Sequence, residues 1–575
     1  MSFLTRQRPE GTPEPEAAPE PVEEAASDSS GLRRRLRVVG QVTTTVLACL
    51  LVWFALVGPD QVRRLTPAAF VRVPVEGLVL LALLMFLPAR PRRIVAWVVG
   101  VLLGVLTIVK IIDMGFYEVL NRPFDPFTDW GYLGSAQGLL ELAIGHTDAI
   151  LFMIAAIALG VAVLVFVPLA VRRLVRLAGG HRIWSLRSVA ALGVVWVLCA
   201  VFGAQIVSGS PVASTSVAGL AYSQALQVGD GLRDKSIMRA AAANDPYRTV
   251  PADQLLTGLR GKDVIVAFVE SYGQTAVQGS SFSPEVDATL NAGTSQLTAA
   301  GYASRSAFLT SPTFGGISWL AHSTLQSGVW IDNQQRYNDL VSTDRFTLSD
   351  AFKKAGWRTV ADVPSNEKAW PEGQTFYHYD KIYDQHNVGY QGPNFSYASM
   401  PDQYTLSAFR RLELSGPHTP VMAEIDLVSS HTPWAPLPRM VPWDQVGDGS
   451  VFKGMPEQGQ SPTQVWSDGN QVRAAYGQSI VYTMSALVSF LQTYPDPNLV
   501  LVLLGDHQPS VIVSGQDASH RVPISIVAQD PSVMDRVAGW GWQPGLLPGP
   551  QAPVWRMDAF RDRFLAAFGP QPASK

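Results

Sequence analysis

Only two cysteines, Cys49 and Cys199, occur in the 575 residues, and both sit inside long apolar runs. No disulfide framework is therefore available to an exported part of the chain. Charge is also thin. Charged residues make up 16% of the sequence and the net charge is −3, so the bulk composition carries no basic footprint for nucleic acid. Lysine is scarce beside arginine, a hint of a GC-rich bacterial genome, and no internal repeat is visible. What the chain has in excess is apolar. Hydrophobic residues make up 47% of it and the mean hydropathy is +0.13. That is high for a purely soluble protein, and the length implies more than one domain.

The first 32 residues are rich in Pro, Glu, Ala and Ser and read as disordered. With Arg33, Arg34, Arg35 and Arg37 they form an expected cytoplasmic tail, residues 1–37. Five candidate spans follow, at roughly 38–58, 70–89, 93–113, 148–171 and 187–208, each near the ~20 residues that cross a bilayer. Because further apolar runs follow the first, it reads as an anchor and not as a cleaved signal. Arg90, Arg92 and Arg93 join spans two and three, and Arg172, Arg173, Arg176, Arg182 and Arg187 join spans four and five. These loops and the basic start share one side, which the positive-inside rule makes cytoplasmic. Arg63, Arg64 and Arg72 run against that assignment. An odd number of spans then places everything after residue 208 outside the cell membrane of a bacterium. The outer loop 114–147 carries Phe116, Tyr117, Phe124 and Trp130; these read as interfacial anchors or as a lipid-binding surface. Residues 209–262 read as a linker along the membrane surface.

From residue 263 the pattern changes. Asp263–Val269 is a short apolar run ending at Glu270, and similar runs occur at Val421–Leu427, Leu499–Leu504 and Pro523–Ala528. Helical patterns such as Thr347–Ala355 and Tyr476–Leu491 lie between them. The alternation predicts an α/β domain over 263–570, with a central, mostly parallel sheet and flanking helices. In such sheets ligands bind at the carboxyl ends of the strands. Glu270, Ser429-Ser430-His431 and Gly505-Asp506-His507 follow three of these runs directly.

The remaining element is the stretch Phe314–Gly328, in which Gly315-Gly316 precedes Ser318 and a helix-compatible run. Glycines ahead of a hydroxyl residue at a helix start leave backbone N–H groups free for an anion. Ser318 is either a nucleophile, activated by a divalent cation, or a helix N-cap. Glu270, Asp506, His507 and Ser318 together offer the carboxylate, imidazole and hydroxyl donors of one metal site. Those donors suit Mn²⁺, Mg²⁺ or Zn²⁺ without deciding between them.

In their order and spacing these motifs resemble the alkaline phosphatase and sulfatase superfamily. The branch they resemble is the membrane-anchored one that includes lipoteichoic acid synthases and phosphoethanolamine transferases. The matching features are Asp263–Glu270, Ser318 with Ser327-Gly328 nine residues on, Asp506-His507, the segments Ala351–Thr359 and Tyr379-Asp380-Lys381, and Arg521-Val522-Pro523. The resemblance implies a five-helix transmembrane bundle followed by an external alkaline phosphatase-like domain. It also implies one catalytic divalent ion, Mn²⁺ by preference, on Glu270, Ser318, Asp506 and His507. Ser318 would be the nucleophile, His431 the substrate-side histidine, and Trp370 a substrate contact. His322 and His520 are spare histidines, expected to contact substrate or to sit on the surface. Sulfatase activity is disfavoured, because Leu320 and His322 stand where sulfatases carry Pro and Arg. Glu372 replaces an arginine of the lipoteichoic acid synthases, which counts against a phosphoglycerol donor.

The expected function is transfer of a phospholipid-derived phospho-headgroup onto an envelope glycan, glycolipid or polymer through a phospho-Ser ester. The alternatives are a phosphodiesterase or phosphatase with the same site, and a catalytically dead membrane scaffold or sensor.

Overall fold

The computed structural model describes residues 24–132, 137–138, 140–141, 144–207 and 210–570. Residues 1–23 of the expected tail and parts of the expected outer loop lie outside these. The first helix, α1 (Glu24–Val57), begins within the stretch expected to be disordered. It is followed by α2 (Val75–Phe86), α3 (Ala89–Leu120), α4 (His146–Gly180) and α5 (Arg182–Val201).

Among the described residues four helices, not five, are long and apolar enough to cross a membrane: Arg33–Val57, α3, α4 and α5. The expected span at 70–89 fails because proline interrupts it. Pro74 and Pro88 bracket α2, which is left with 12 residues, about 18 Å of helix against a hydrocarbon core of ~30 Å. The parity argument from five spans fails with it. Helices α3 and α4 pack antiparallel, and glycine makes the close approach possible. A Cβ on Gly100 would meet Pro168 Cα at 2.6 Å, and one on Gly179 would meet Arg92 Nη1 at 2.7 Å. Small residues at such crossings replace the hydrophobic drive that lipid removes. Arg173 donates from Nη2 to Gln41 O at 2.7 Å, so the basic ends of α1, α3 and α4 lie together.

Most of the expected surface linker is a 28-residue helix, α6 (Ser216–Ala243). Its Asp234 takes both arms of Arg336, at 2.6 and 2.7 Å, which ties it to the domain that follows.

That domain is built on a nine-stranded sheet. We number its strands β1 (Asp263–Val269), β2 (Ala303–Thr310), β3 (Arg358–Asp362), β4 (Lys381–Tyr383), β5 (Val421–Leu427), β6 (Leu499–Gly505), β7 (Arg521–Ala528), β8 (Gln543–Pro544) and β9 (Val554–Arg556). The spatial order is β8-β2-β7-β6-β1-β5-β3-β4, with β9 also on β2. The sheet is mixed, which corrects the mostly parallel expectation. From β6 to β4 the neighbours are parallel, but β7 runs against both β6 and β2. The reason is local. Parallel neighbours need a long crossover, whereas the chain leaves β6 and returns as β7 through residues 506–520, where the one helix is four residues long.

Strand alternation divides the core. Val264, Val266 and Phe268 of β1 face one layer with Leu320, Leu325, Phe352 and Phe564. These four come from helices α8 (Ser318–Ser327), α9 (Leu348–Lys354) and α12 (Ala559–Phe568). Ile265, Ala267 and Val269 face the other layer with Val286, Phe409 and Ile480, from α7 (Ser283–Ala299), α10 (Asp402–Glu413) and α11 (Gly469–Thr493). The apolar strands are buried on both faces because helices cover both. The same arrangement leaves the carboxyl ends of β1, β5 and β6 side by side at one edge.

Candidate active site and metal centre

Four of the predicted residues meet at that edge. Glu270 is the first residue past β1, and its backbone N–H still bonds to Leu427 O of β5 at 3.1 Å. The chain then turns sharply at Ser271, whose φ is +58°. Strand β6 ends close above this turn: a Cβ on Gly505 would sit 1.9 Å from Tyr272 O. The crossing places Asp506 against the turn, where its Oδ1 accepts hydrogen bonds from Ser271 N at 2.8 Å and from His507 N at 2.7 Å.

Ser318 opens α8, but it is not the cap. The N-cap is Ile317, in the left-handed region at φ +66°, with no side-chain cap bond. The Ser318 hydroxyl turns away from its own helix. It donates to Glu270 Oε2 at 3.0 Å and lies 3.2 Å from His507 Nε2. That nitrogen is also 3.3 Å from Glu270 Oε1 and 3.5 Å from Asp506 Oδ2. His507 Nδ1 is paired with Gln508 O at 2.8 Å; donation there leaves Nε2 of the neutral ring as a lone-pair donor.

The donors fit a divalent cation. Glu270, Asp506 and His507 present ligand atoms within 4.8 Å of one another, and all three are buried. Asp506 Oδ2 is buried with no hydrogen-bond partner, a costly state for a carboxylate oxygen that a cation at this point removes. Burial, followed by the neighbouring Glu270 carboxylate, pushes the Asp506 carboxyl up. Two acids this close resist ionising together without a cation. One imidazole and three oxygens suit Mn²⁺, Zn²⁺ or Mg²⁺.

His431 follows β5, and Ser430 beside it donates to Glu270 O at 2.6 Å. Its ring lies on Tyr397 with centroids 3.4 Å apart and planes 10° apart. Nδ1 is paired with Thr432 O, which leaves Nε2 for the site. Burial pulls the His431 imidazolium below its ordinary range, against the Glu270 charge that favours it. The ring therefore stands ready as a proton acceptor.

The other predicted residues are spread out. His322 lies one turn along α8 from Ser318. Trp370 packs on Tyr377 and Tyr379, with centroids at 5.4 and 6.2 Å. His520 sits 5.3 Å from the Phe314 ring and pairs through its backbone with Ser311. Sequence reasoning missed Glu424 and Asp426, which gather around His322 as a second cluster. The signal was present: two acids at alternate positions of the buried strand Val421–Leu427 must share one face.

Helix α3 and the segment after it come close to this edge. Glu118 near the end of α3 accepts from Gln516 at 2.9 Å, and Tyr132 lies 6.4 Å from Trp319, the residue after Ser318.

No family model matches the sequence, and no curated protein matches it. Solved structures do match, at low identity. The lipoteichoic acid synthase LtaP of Listeria monocytogenes is 14% identical, over 59% of this chain and 79% of its own, with a TM-score of 0.36. The integral membrane lipooligosaccharide phosphoethanolamine transferase A of Neisseria meningitidis is 11% identical over 87% of each chain, with a TM-score of 0.44. The phosphoglycerol transferase GacH of Streptococcus pyogenes, solved with sn-glycerol-1-phosphate, is 12% identical over 58% of this chain and 90% of its own, with a TM-score of 0.33. By name these three solved proteins are a lipoteichoic acid synthase, a phosphoethanolamine transferase and a phosphoglycerol transferase.

Proposed function

We propose that this protein is a membrane-anchored, metal-dependent transferase. It moves a phospho-headgroup, of the phosphoglycerol or phosphoethanolamine type, from a membrane phospholipid onto an envelope glycan, glycolipid or polymer. The observation that carries the reading is the Ser318 hydroxyl turned from its helix into a buried Glu270–Asp506–His507 donor set in which one carboxylate oxygen makes no hydrogen bond.

Glu270, Ser318, Asp506 and His507 would hold the cation, Mn²⁺ by preference. When bound it lowers the pKa of the serine hydroxyl and offsets charge on the phosphoryl oxygens. Ser318 Oγ attacks phosphorus, the P–O bond to diacylglycerol breaks, and a phospho-Ser ester forms. His431, carrying the proton that Ser318 gives up on attack, protonates the departing oxygen; in the second step it takes the proton of the acceptor hydroxyl as that oxygen attacks the ester and Ser318 Oγ leaves. Trp370 and His520 are assigned to substrate binding further from the reacting atoms.

Domain limits follow the sequence reading: a tail over 1–37, a membrane domain over 38–208, a connecting segment over 209–262 and a catalytic domain over 263–570. The arginine-rich ends of α1, α3 and α4 lie together, while the far end of α3 meets the nucleophile loop. The positive-inside rule therefore supports a catalytic domain outside a bacterial cell membrane, without any appeal to span count.

The test uses the full chain in detergent with Mn²⁺ and fluorescent phosphatidylglycerol or phosphatidylethanolamine. Diacylglycerol release, with a covalent adduct absent in Ser318→Ala, is the expected result, and the adduct mass names the headgroup. Steady release with free headgroup phosphate and no transfer to any acceptor makes the protein a hydrolase. A metal-loaded protein that cleaves neither lipid removes the lipid-donor reading.

A further inference from the structure

His322 and the two acids around it take no part in the reaction set out above, yet they adjoin its centre. Ser318 and His322 are four residues apart on α8, so both face the same way one turn apart. The His322 ring is fixed on three sides. It lies flat on Phe268 of β1, with centroids 3.8 Å apart and planes 11° apart. Its Nδ1 is 3.0 Å from Glu424 Oε1 and 3.5 Å from Asp426 Oδ1. Glu424 is itself held, accepting from Tyr379 OH at 2.8 Å and from Gln326 Nε2. Its carboxylate is 5% exposed, in a strand whose other residues, Asp426 apart, are apolar and buried. All of that acceptor capacity serves to orient one imidazole, whose Nε2 has no hydrogen-bond partner among the described residues.

The charge balance points the same way. Around the nucleophile stand Glu270, Asp506, Glu424 and Asp426. Among the described residues, no lysine or arginine pairs with any of them. Among the described residues the ion-pair partners of these acids are imidazoles, which a phosphoryl anion entering this edge would meet together with the cation.

We propose that His322 is a phosphate-binding residue. Its imidazolium, oriented by Glu424, donates from Nε2 to a non-bridging oxygen of the phosphoryl group carried on Ser318. Glu424 is a positioning residue, and no proton need leave His322 during the cycle. The assignment rests on the transferase reading only for the identity of the donor; a phosphoryl anion on Ser318 is common to the lipid and to inorganic phosphate. The charged groups that face His322 are Asp426 and Glu424 from β5 and Asp506 from the end of β6. Burial pulls the imidazolium down, and these carboxylates outweigh it and lift it to about 9.

The experiment measures binding of inorganic phosphate and of Mn²⁺ to the full-length protein in detergent, for wild type, His322→Gln and Glu424→Gln. Loss of one charge-assisted hydrogen bond weakens phosphate binding in His322→Gln by roughly tenfold to a hundredfold, with Mn²⁺ affinity unchanged. In wild type, phosphate affinity falls as the pH passes about 9, and in Glu424→Gln that fall moves to lower pH. A merely structural ion pair would not move it. Unchanged phosphate binding in metal-loaded His322→Gln overturns the proposal, as does a loss of Mn²⁺ affinity there, which would make His322 a metal ligand. The wild-type donor assay separates the two readings. Phosphate binding that weakens in His322→Gln, with no lipid cleaved by wild type, keeps His322 and removes the lipid donor. Lipid cleavage with phosphate binding indifferent to His322 does the reverse.

Discussion

Gly315 is where the end of α3 presses on the loop before Ser318, and Gly315→Ala tests whether that contact sets the geometry of Ser318. Gly315 has φ +71°, and a Cβ built on it would lie 1.8 Å from Val119 O at the end of α3. Two costs follow. An L-residue in the left-handed region costs about 1–2 kcal/mol. The clash is worse, because contacts under 3.0 Å must be relieved and the nearest atom is backbone carbonyl, not a mobile side-chain tip. Either α3 or the loop must shift by roughly an ångström. The loop is the softer of the two, since α3 is a 32-residue helix packed along α4. Moving Ser318 by about 1 Å from its partners on Glu270 and His507 costs on the order of a hundredfold in rate. The control is Gly301→Ala, at φ +87° with nothing within 4 Å, which carries the backbone cost without the clash. We expect Gly315→Ala to lose about a hundredfold in phospho-Ser formation while Gly301→Ala keeps the wild-type rate; in denaturant unfolding Gly301→Ala loses ~1–2 kcal/mol and Gly315→Ala loses more, by the cost of relieving the clash. If Gly315→Ala reacts as fast as Gly301→Ala, the membrane helix does not position the nucleophile.

Asp506→Ala removes the unpaired carboxylate oxygen and two backbone anchors; Mn²⁺ affinity by titration should drop by more than tenfold, and retention of wild-type affinity would displace the metal centre from this edge. Phe352→Ala empties a fully buried position of the core and should cost about 3–5 kcal/mol, read as a lower urea midpoint; a loss below 1 kcal/mol would mean that the layer beneath α8 collapses to fill the gap. The Gly416 carbonyl, followed by the Asp263 carboxylate at 3.0 Å, raises the His418 imidazolium above its ordinary 6.5. Because the folded value is the higher one, this pair's stabilisation is complete below about pH 6.5 and fades as the pH climbs through the raised value. His418→Asn should therefore cost at most ~1 kcal/mol at pH 6, as expected for a partly exposed pair, and less at pH 9; a loss that grows with pH would reverse the assignment.

Much of the fold is legible in the sequence because burial on both faces writes strands as unbroken apolar runs. Asp263–Val269, Val421–Leu427 and Leu499–Leu504 stand where β1, β5 and β6 are found. The strand β2, ASRSAFLT, escapes such a reading. Its first half is only partly buried, so its polar residues break the run. The direction of β7 is equally invisible, since hydropathy reports burial and carries no vector. Span counting errs at residues 70–89 for a related reason: average hydropathy does not weigh the prolines that cut a helix short.

The candidate site divides in the same way. Residues that follow an apolar run stand out in the sequence by their position, so Glu270, Asp506 and His507 are picked out by asking what ends each strand, and the structure adds the distances between them. Glu424 and Asp426 sit inside a run, and a sequence reading tuned to apolar strands passes over them as tolerated interruptions. Physically they are the opposite. A carboxylate between Ala423 and Ile425 in a strand covered by helices is expensive unless something satisfies it. Glu424 is satisfied by three side chains from two elements: Gln326 and His322 of α8, and Tyr379 of the segment before β4. A hydrophobic residue would fill the same volume without needing any of those partners. What the acid supplies, and an apolar side chain cannot, is a fixed direction and charge for His322, one helical turn from Ser318.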